Sequence, residues 1–163
     1  EGGGRVELAS GRVAGVGGGV AGSGAGRGAV GGIGWWMGGA FALLLAGRPG
    51  WSASSVNYGM VPDNVAKILD GACPVVASFG GKDKGLRGAA DTLRRAAAEA
   101  GVPADVKEYP QAGHGFINRF TAASPLTPML KVMGVGYDHA AAADAKSRIL
   151  AFFNTHLSEP LPT

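Results

Sequence analysis

Three places in this chain carry residues that could do chemistry, and they come in a fixed order. The first is the stretch GGIGWWMGGAF, from Gly31 to Phe41. A short apolar run, closely spaced glycines and a second apolar run are the pattern of a sharp strand-to-helix turn that holds a nucleophile out at its tip. The second is FGGKD, which ends in Asp83 directly after the apolar run PVVASF. The third is QAGHGF, with His114 between two glycines after the alternating run ADVKEY. An acid that orients a histidine, and a histidine that takes a proton from a nucleophile, are the supporting parts of a nucleophilic acyl-transfer site. The place of the nucleophile is taken by Trp36. An indole N–H only donates hydrogen bonds, and the ring is far larger than a Ser or Cys side chain. It is expected to fill the space meant for a substrate.

No other residue steps into that role. Ser23, in AGSGAG, has Ala at both outer positions where the turn needs Gly, and Ser78 lies inside an apolar run. Cys73 precedes Pro74 at the start of a strand and reads as a small core residue. His139 and His156 stand at the two ends of the last helical pattern, and neither has metal-ligand spacing to a Cys or a second His. The match to G-x-G-x-x-G at Gly17–Gly22 has no apolar strand before it and no acidic residue at the required distance after it. GGKDKG lacks the Ser or Thr of a phosphate-binding loop. Arg94 and Arg95 read as a solvated helix face. These readings argue against nucleotide and metal chemistry.

The elements that must position Trp36, Asp83 and His114 follow from periodicity. AVGGIGW reads as a short buried strand. MGGAFALLLAG is apolar on all sides, so its helix is expected to be buried all round, with Gly47 and Pro49 ending it. WSASSVNYG is a second strand, and PDNVAKILDG a short helix opened by Pro62 and Asp63. PVVASFGG is a near-continuous apolar strand. LRGAADTLRRAAAEAG is an amphipathic helix, and ADVKEYP alternates like an edge strand. From QAGHGF to about Asp138 runs a long loop. HAAAADAKSRILAFFNTHL is a closing helix with Ile149, Leu150, Phe153 and Leu157 as its core stripe. Strands alternating with helices imply a parallel sheet covered on both faces, here of four strands, with the three chemical features at strand ends where open α/β sheets place their sites.

Composition sets the outer bounds. The chain has 163 residues, 46% hydrophobic and 17% charged, which is globular rather than disordered. Its net charge of +3 is spread without a basic run, which argues against nucleic acid as a partner. One cysteine precludes an internal disulfide and fits a reducing, cytoplasmic setting. No apolar run reaches membrane-span length. Residues 1–28 are glycine-rich and hold no aromatic side chain, so they are expected to be poorly ordered, with the folded domain over 29–163. The start, EGGGRVELAS, has neither an initiator Met nor the pattern of a signal peptide. Four strands make a thin domain, and the expectation is a piece of a longer one.

The pieces GWWMGGAFALLLAGRPG, NYG, CPVVASFGGKD, EYPQAGHGF and ILAFFNTHL, in this order over Ala29 to Leu157, resemble the dienelactone hydrolase family. The resemblance implies an α/β-hydrolase fold, that is, a three-layer α/β/α sandwich on a mostly parallel sheet, here without the family's N-terminal strands. It implies hydrolysis of a small ester or lactone with no metal and no cofactor. The family's nucleophilic Cys, in G-x-C-x-G-G, maps to Trp36 within Gly34–Gly39. The acid maps to Asp83, the base to His114, and an oxyanion donor to the backbone N–H of Met37. Trp35, Tyr58, Phe116, Asn118 and Arg119 are the expected substrate-pocket residues. Asn118 stands where the family has a substrate-binding Arg, four residues after the His, and Arg119 is one further. Three readings follow: a hydrolase silenced by Trp36, a non-catalytic protein binding a small ligand over an aromatic floor, and the product of a decayed or mis-called gene, since one base separates TGC from TGG.

Overall fold

The computed structural model describes residues 29–119 and 135–157, together with the backbone of three short strands among residues 6–21. Those strands, β1 (Val6–Leu8), β2 (Gly11–Val16) and β3 (Gly19–Ala21), pair antiparallel in that order. The remainder of 1–28, and with it most of the expectation that this segment is poorly ordered, lies outside the described residues.

From residue 31 the chain alternates strand and helix. The elements are β4 (Gly31–Trp35), α1 (Met37–Ala46), β5 (Ala53–Asn57), α2 (Val65–Ile68), β6 (Val75–Gly80), α3 (Ala89–Glu99), β7 (Ala104–Tyr109) and α4 (His139–Leu157). The four strands form one all-parallel sheet in sequential order β4-β5-β6-β7. Gly31 pairs with Ala53, Ser54 with Val75, and Val75 with Ala104. β5 and β6 are buried along their whole length, as a sheet covered on both faces requires. β7 is exposed except at half-buried Val106 and buried Tyr109, as its alternating sequence predicted for an edge.

The pleat divides the core into two layers. Val75, Ala77 and Phe79 of β6 point to one face, where they pack with Leu43 of α1, Val65 of α2 and Leu93 of α3. Val76, between them, points to the other face and meets Ile149, Phe153 and Leu157 of α4. The result is the expected α/β/α sandwich.

Three local expectations are corrected. Leu150 is 40% exposed and does not belong to the core stripe of α4. The large buried side chains are Ile149, Phe153 and Leu157, spaced by four and continuing a face begun by Ala141, Ala142 and Ala145, and a residue 100° round from Ile149 leaves that face. The amphipathic helix begins at Ala89 rather than near Leu86. Gly88 adopts a left-handed φ of 79°, and Lys84–Leu86 forms a separate 3₁₀ turn. Nor is α1 buried all round. Gly38, Gly39, Ala42, Leu43 and Ala46 face the sheet, while Met37, Phe41 and Leu44 are 73%, 54% and 45% exposed. A uniformly apolar helix still touches the sheet along one side only.

Buried polar side chains pin these elements where the site will be built. Ser54 Oγ donates to the Ala42 carbonyl at 2.8 Å, fixing α1 to β5. Asn57 Nδ2 donates to the Gly34 carbonyl at 3.2 Å and to Ser55 Oγ at 3.0 Å, fixing the last residues of β4. At the far edge Arg148 of α4 donates to Asp105, to Tyr109 Oη (3.1 Å) and to Ser78 Oγ (3.3 Å), tying the helix across two strands.

Candidate active site

The chain turns from β4 into α1 at Trp36, which has φ 58° and ψ −125°. This is a backbone conformation that side-chain-bearing residues rarely adopt, and holding it costs about 1–3 kcal/mol. The surrounding contacts impose it. Trp36 N–H donates to the Asn57 carbonyl at 3.3 Å, and Gly39 N–H donates to the Trp36 carbonyl at 3.0 Å. The turn is so tight that a Cβ on Gly34 would lie 1.8 Å from the Gly38 carbonyl oxygen. The glycines that flank Trp36 in the sequence are therefore there because backbone approaches backbone. Met37 is the first residue of α1, so its N–H lies outside the intrahelical hydrogen-bond ladder.

Asp83 sits beyond the end of β6, at the start of the 3₁₀ turn, where its Oδ1 accepts the Gly85 N–H at 3.0 Å. Its other oxygen, Oδ2, pairs with His114 Nδ1. The loops that carry the two are drawn together by backbone bonds. Gly81 N–H donates to the Tyr109 carbonyl at 2.8 Å, and Lys82 N–H to the Ala112 carbonyl at 2.9 Å. At Gly80 a Cβ would come within 2.4 Å of the Gly113 carbonyl oxygen, so this approach too needs a glycine. On its other side His114 forms an isolated parallel bridge with Val135, and its carbonyl accepts the Gly136 N–H at 3.2 Å. Asp138 N–H donates to the Phe116 carbonyl at 3.1 Å, and Asp138 Oδ1 caps α4 through the Ala141 N–H. The expected long loop is thus stitched at both described ends; residues 120–134 lie outside the described residues.

A carboxylate only accepts, so Nδ1 of His114 carries the proton toward Asp83 and Nε2 is left for the site. The Asp83 side chain is 8% exposed and that of His114 21%. The pair is enclosed but reachable. The ring of Trp36 meets that of His114 edge to face, with centroids 4.3 Å apart. Tyr58 touches both, at 6.1 Å from Trp36 and 5.4 Å from His114. Trp36, Asp83 and His114 are far apart in sequence and adjacent in space.

These rings form the floor of a groove of about 450 Å³. One wall is the outer face of α1, with Met37, Phe41 and Leu44 at helical spacing; the other carries Met60 and Leu86. Trp36 lines this groove, and its ring stands beside His114. Sequence reasoning missed Phe41, Leu44, Met60 and Leu86. The positions 37, 41 and 44 form an outward stripe that the uniform hydrophobicity of α1 concealed.

The expected pocket residues divide. Tyr58 lines the groove. Phe116 is fully buried against Tyr58 and Tyr109. Trp35 packs at the junction of two core clusters, its indole N–H buried without a partner. Asn118 is half-buried and hydrogen-bonds through its backbone to Gly115. Arg119 is exposed, with its guanidinium over the Tyr137 ring at 4.7 Å. None of these four lines the groove. The Tyr58 hydroxyl is buried with no hydrogen-bond partner, and burial pushes its pKa well above the usual value, so it stays neutral. Burial likewise pushes the Cys73 thiol up to about 11, in keeping with a core residue. Among the described residues no group of three His, Cys, Asp or Glu side chains could hold a metal, and no helix is long and apolar enough to cross a membrane.

Comparison with known proteins agrees with this fold. The model of the dienelactone hydrolase family matches residues 21–157. Among solved structures, the chain is similar to a protein described as a dienelactone hydrolase from Klebsiella pneumoniae subsp. pneumoniae MGH 78578. The identity is 25% and the TM-score 0.61, covering 74% of this chain and 50% of that one. It is also similar to P91, a dienelactone hydrolase-like promiscuous phosphotriesterase from metagenomic libraries (22% identity, TM-score 0.64, 77% of this chain and 52% of that one). A third is MGS-M1, an α/β hydrolase enzyme from a Medee basin deep-sea metagenome library (14% identity, TM-score 0.52, 76% and 53%). The chain spans about half the length of these structures. No curated protein matches it.

Proposed function

The chain belongs to the dienelactone hydrolase family, and from that premise we propose that residues 29–163 are a hydrolase-like domain whose ester- or lactone-cleaving site keeps its base and acid but lacks a nucleophile. One observation carries this reading. Trp36 has the strained backbone of a nucleophile-bearing turn, and its ring lies against the His114–Asp83 pair where a reacting group would stand.

The chemistry follows from the arrangement. A thiol at position 36 would pass its proton to His114 Nε2 while Asp83 holds Nδ1 and stabilises the imidazolium that forms. The sulfur would attack the carbonyl carbon of an ester, and the Met37 N–H would face the developing oxyanion. An indole can do none of this. Removing a nucleophile that acts as a unit with its base costs roughly a factor of a million, so the unsubstituted chain is a ligand-binding remnant of an esterase. The open groove of about 450 Å³ favours that binding role. The lone, buried Cys73 supports a reducing compartment such as the cytoplasm.

The test is hydrolysis of a small activated ester by the purified chain beside Trp36→Cys. Background rates for the former, with turnover by the latter that His114→Ala abolishes, are expected. Turnover by the unsubstituted chain that His114→Ala removes would sink the reading, because another nucleophile would then be at work.

A further inference from the structure

We propose that the groove selects a neutral, largely apolar ligand, an uncharged ester or lactone with an extended alkyl or aryl arm, and discriminates against carboxylated ones. The proposal rests on the site reading above, because it places the ligand's carbonyl at His114 and its arm along α1.

The argument begins with what borders the groove. Its α1 wall is Met37, Ala40, Phe41 and Leu44, and no Asp, Glu, Lys or Arg side chain of the described residues lines it. Lys84 and Arg87, on either side of the lining residue Leu86, are exposed and outside it. Arg119 is turned onto Tyr137: its guanidinium covers that ring and Nη2 donates to Tyr137 Oη at 3.4 Å. A carboxylate entering the groove would lose water and gain no counter-ion among the described residues. It would also approach the carboxylate of Asp83 behind His114.

Two further observations point to a ligand rather than a bare surface. Met37, Phe41, Leu44 and Met60 are all exposed large apolar side chains, and all four border this one groove. A contiguous apolar patch of that kind marks a binding site. The size, about 450 Å³, is that of a small-molecule pocket. Among the polar groups of the floor is Tyr58, whose hydroxyl is neutral, so nothing there calls for a charged partner.

The test is calorimetry of the purified chain against matched probes: methyl 2-naphthoate, 2-naphthoate, and methyl esters of straight-chain acids of increasing length. The neutral naphthoate should bind at least about tenfold tighter than the anion. Its affinity should stay unchanged between about 0.05 and 0.5 M salt. The methyl esters should gain up to about fourfold per added methylene while the chain stays within the groove. Phe41→Asp and Leu44→Asp, both at exposed positions, should leave the circular dichroism spectrum intact and weaken the neutral probe about tenfold or more. Equal or tighter binding of the anion, salt-sensitive affinity, or no binding to the folded protein would each overturn the proposal. So would a concentration-dependent mass that Phe41→Asp abolishes while probe affinity stays the same, since the face would then serve a second copy. The outcomes separate the two readings. A Trp36→Cys chain that binds neutral esters without cleaving them refutes only the catalytic reading; one that cleaves carboxylated esters preferentially refutes only this one.

Discussion

Trp36 and His114 meet at 4.3 Å between ring centroids and an interplanar angle of 78°, while the far side of the imidazole is held by Asp83. The histidine is thus gripped from both sides, by the carboxylate of Asp83 and by the indole of Trp36.

The Asp83–His114 pair is expected to be the part that still matters once a nucleophile is restored. In the Trp36→Cys background, Asp83→Asn should lower ester turnover roughly ten-thousand-fold, because an amide no longer dictates which imidazole nitrogen carries the proton. Steady-state kinetics check this. A fall of less than tenfold would show that Asp83 does not orient the base.

The turn at Trp36 depends on the absence of side chains around it. Gly34→Ala would place a Cβ 1.8 Å from the Gly38 carbonyl oxygen, a backbone atom that has no freedom to move aside. The expected loss is about 3 kcal/mol or more, visible as a lowered denaturant midpoint. An unchanged midpoint would mean that β4 and α1 are not joined as described.

The thiol of Cys73, raised to about 11 by burial, should be inert to iodoacetamide at neutral pH in the folded chain. Trp36→Cys should add one fast-reacting thiol beside His114. Mass spectrometry after brief alkylation reads both: no adduct on the unsubstituted chain, and one on the variant at position 36. Rapid labelling of Cys73 would contradict its place in the core.

At the sheet edge, Tyr109 Oη donates to Asp144 Oδ2 at 2.7 Å and accepts from Arg148. Burial first, and then the Asp144 bond, push Tyr109 up to about 12 from its ordinary 10.0. A group whose folded value is raised stabilises the fold below its unfolded value and loses that contribution as pH climbs toward the folded one. The loss is therefore expected between about pH 10 and 12, and Tyr109→Phe should flatten it while costing about 1–2 kcal/mol at neutral pH. Asp144 has the opposite sign. The hydrogen bonds from Lys107 and Tyr109 lower it, so its contribution is lost as pH falls below the usual carboxylate range. Arg148→Met, which removes the hydrogen bonds to Ser78, Asp105 and Tyr109, should cost about 1–2 kcal/mol. Chemical denaturation at several pH values measures all three.

Much of this protein was legible in its sequence because the governing signals are local. Apolar runs of strand length, a glycine-lined turn before an apolar helix, and an edge strand with alternating charges each follow from residues within a few positions of one another. So do the four parallel strands, the helices that cover them, and the order of elbow, acid and histidine along the chain. What only the tertiary structure decided involves direction and distance. The composition of α1 could not say that Met37, Phe41 and Leu44 face outward, since all its residues are apolar; the sheet, by covering one side, chose for it. The size of Trp36 suggested a filled site; only the fold shows that the indole stands against His114 with a groove beside it. Arg119 looked like a substrate-binding residue until its stacking on Tyr137, 18 residues away, turned it aside. Arg148 carried no signal at all, because its partners Ser78, Asp105 and Tyr109 are brought to it only when α4 folds back across the sheet.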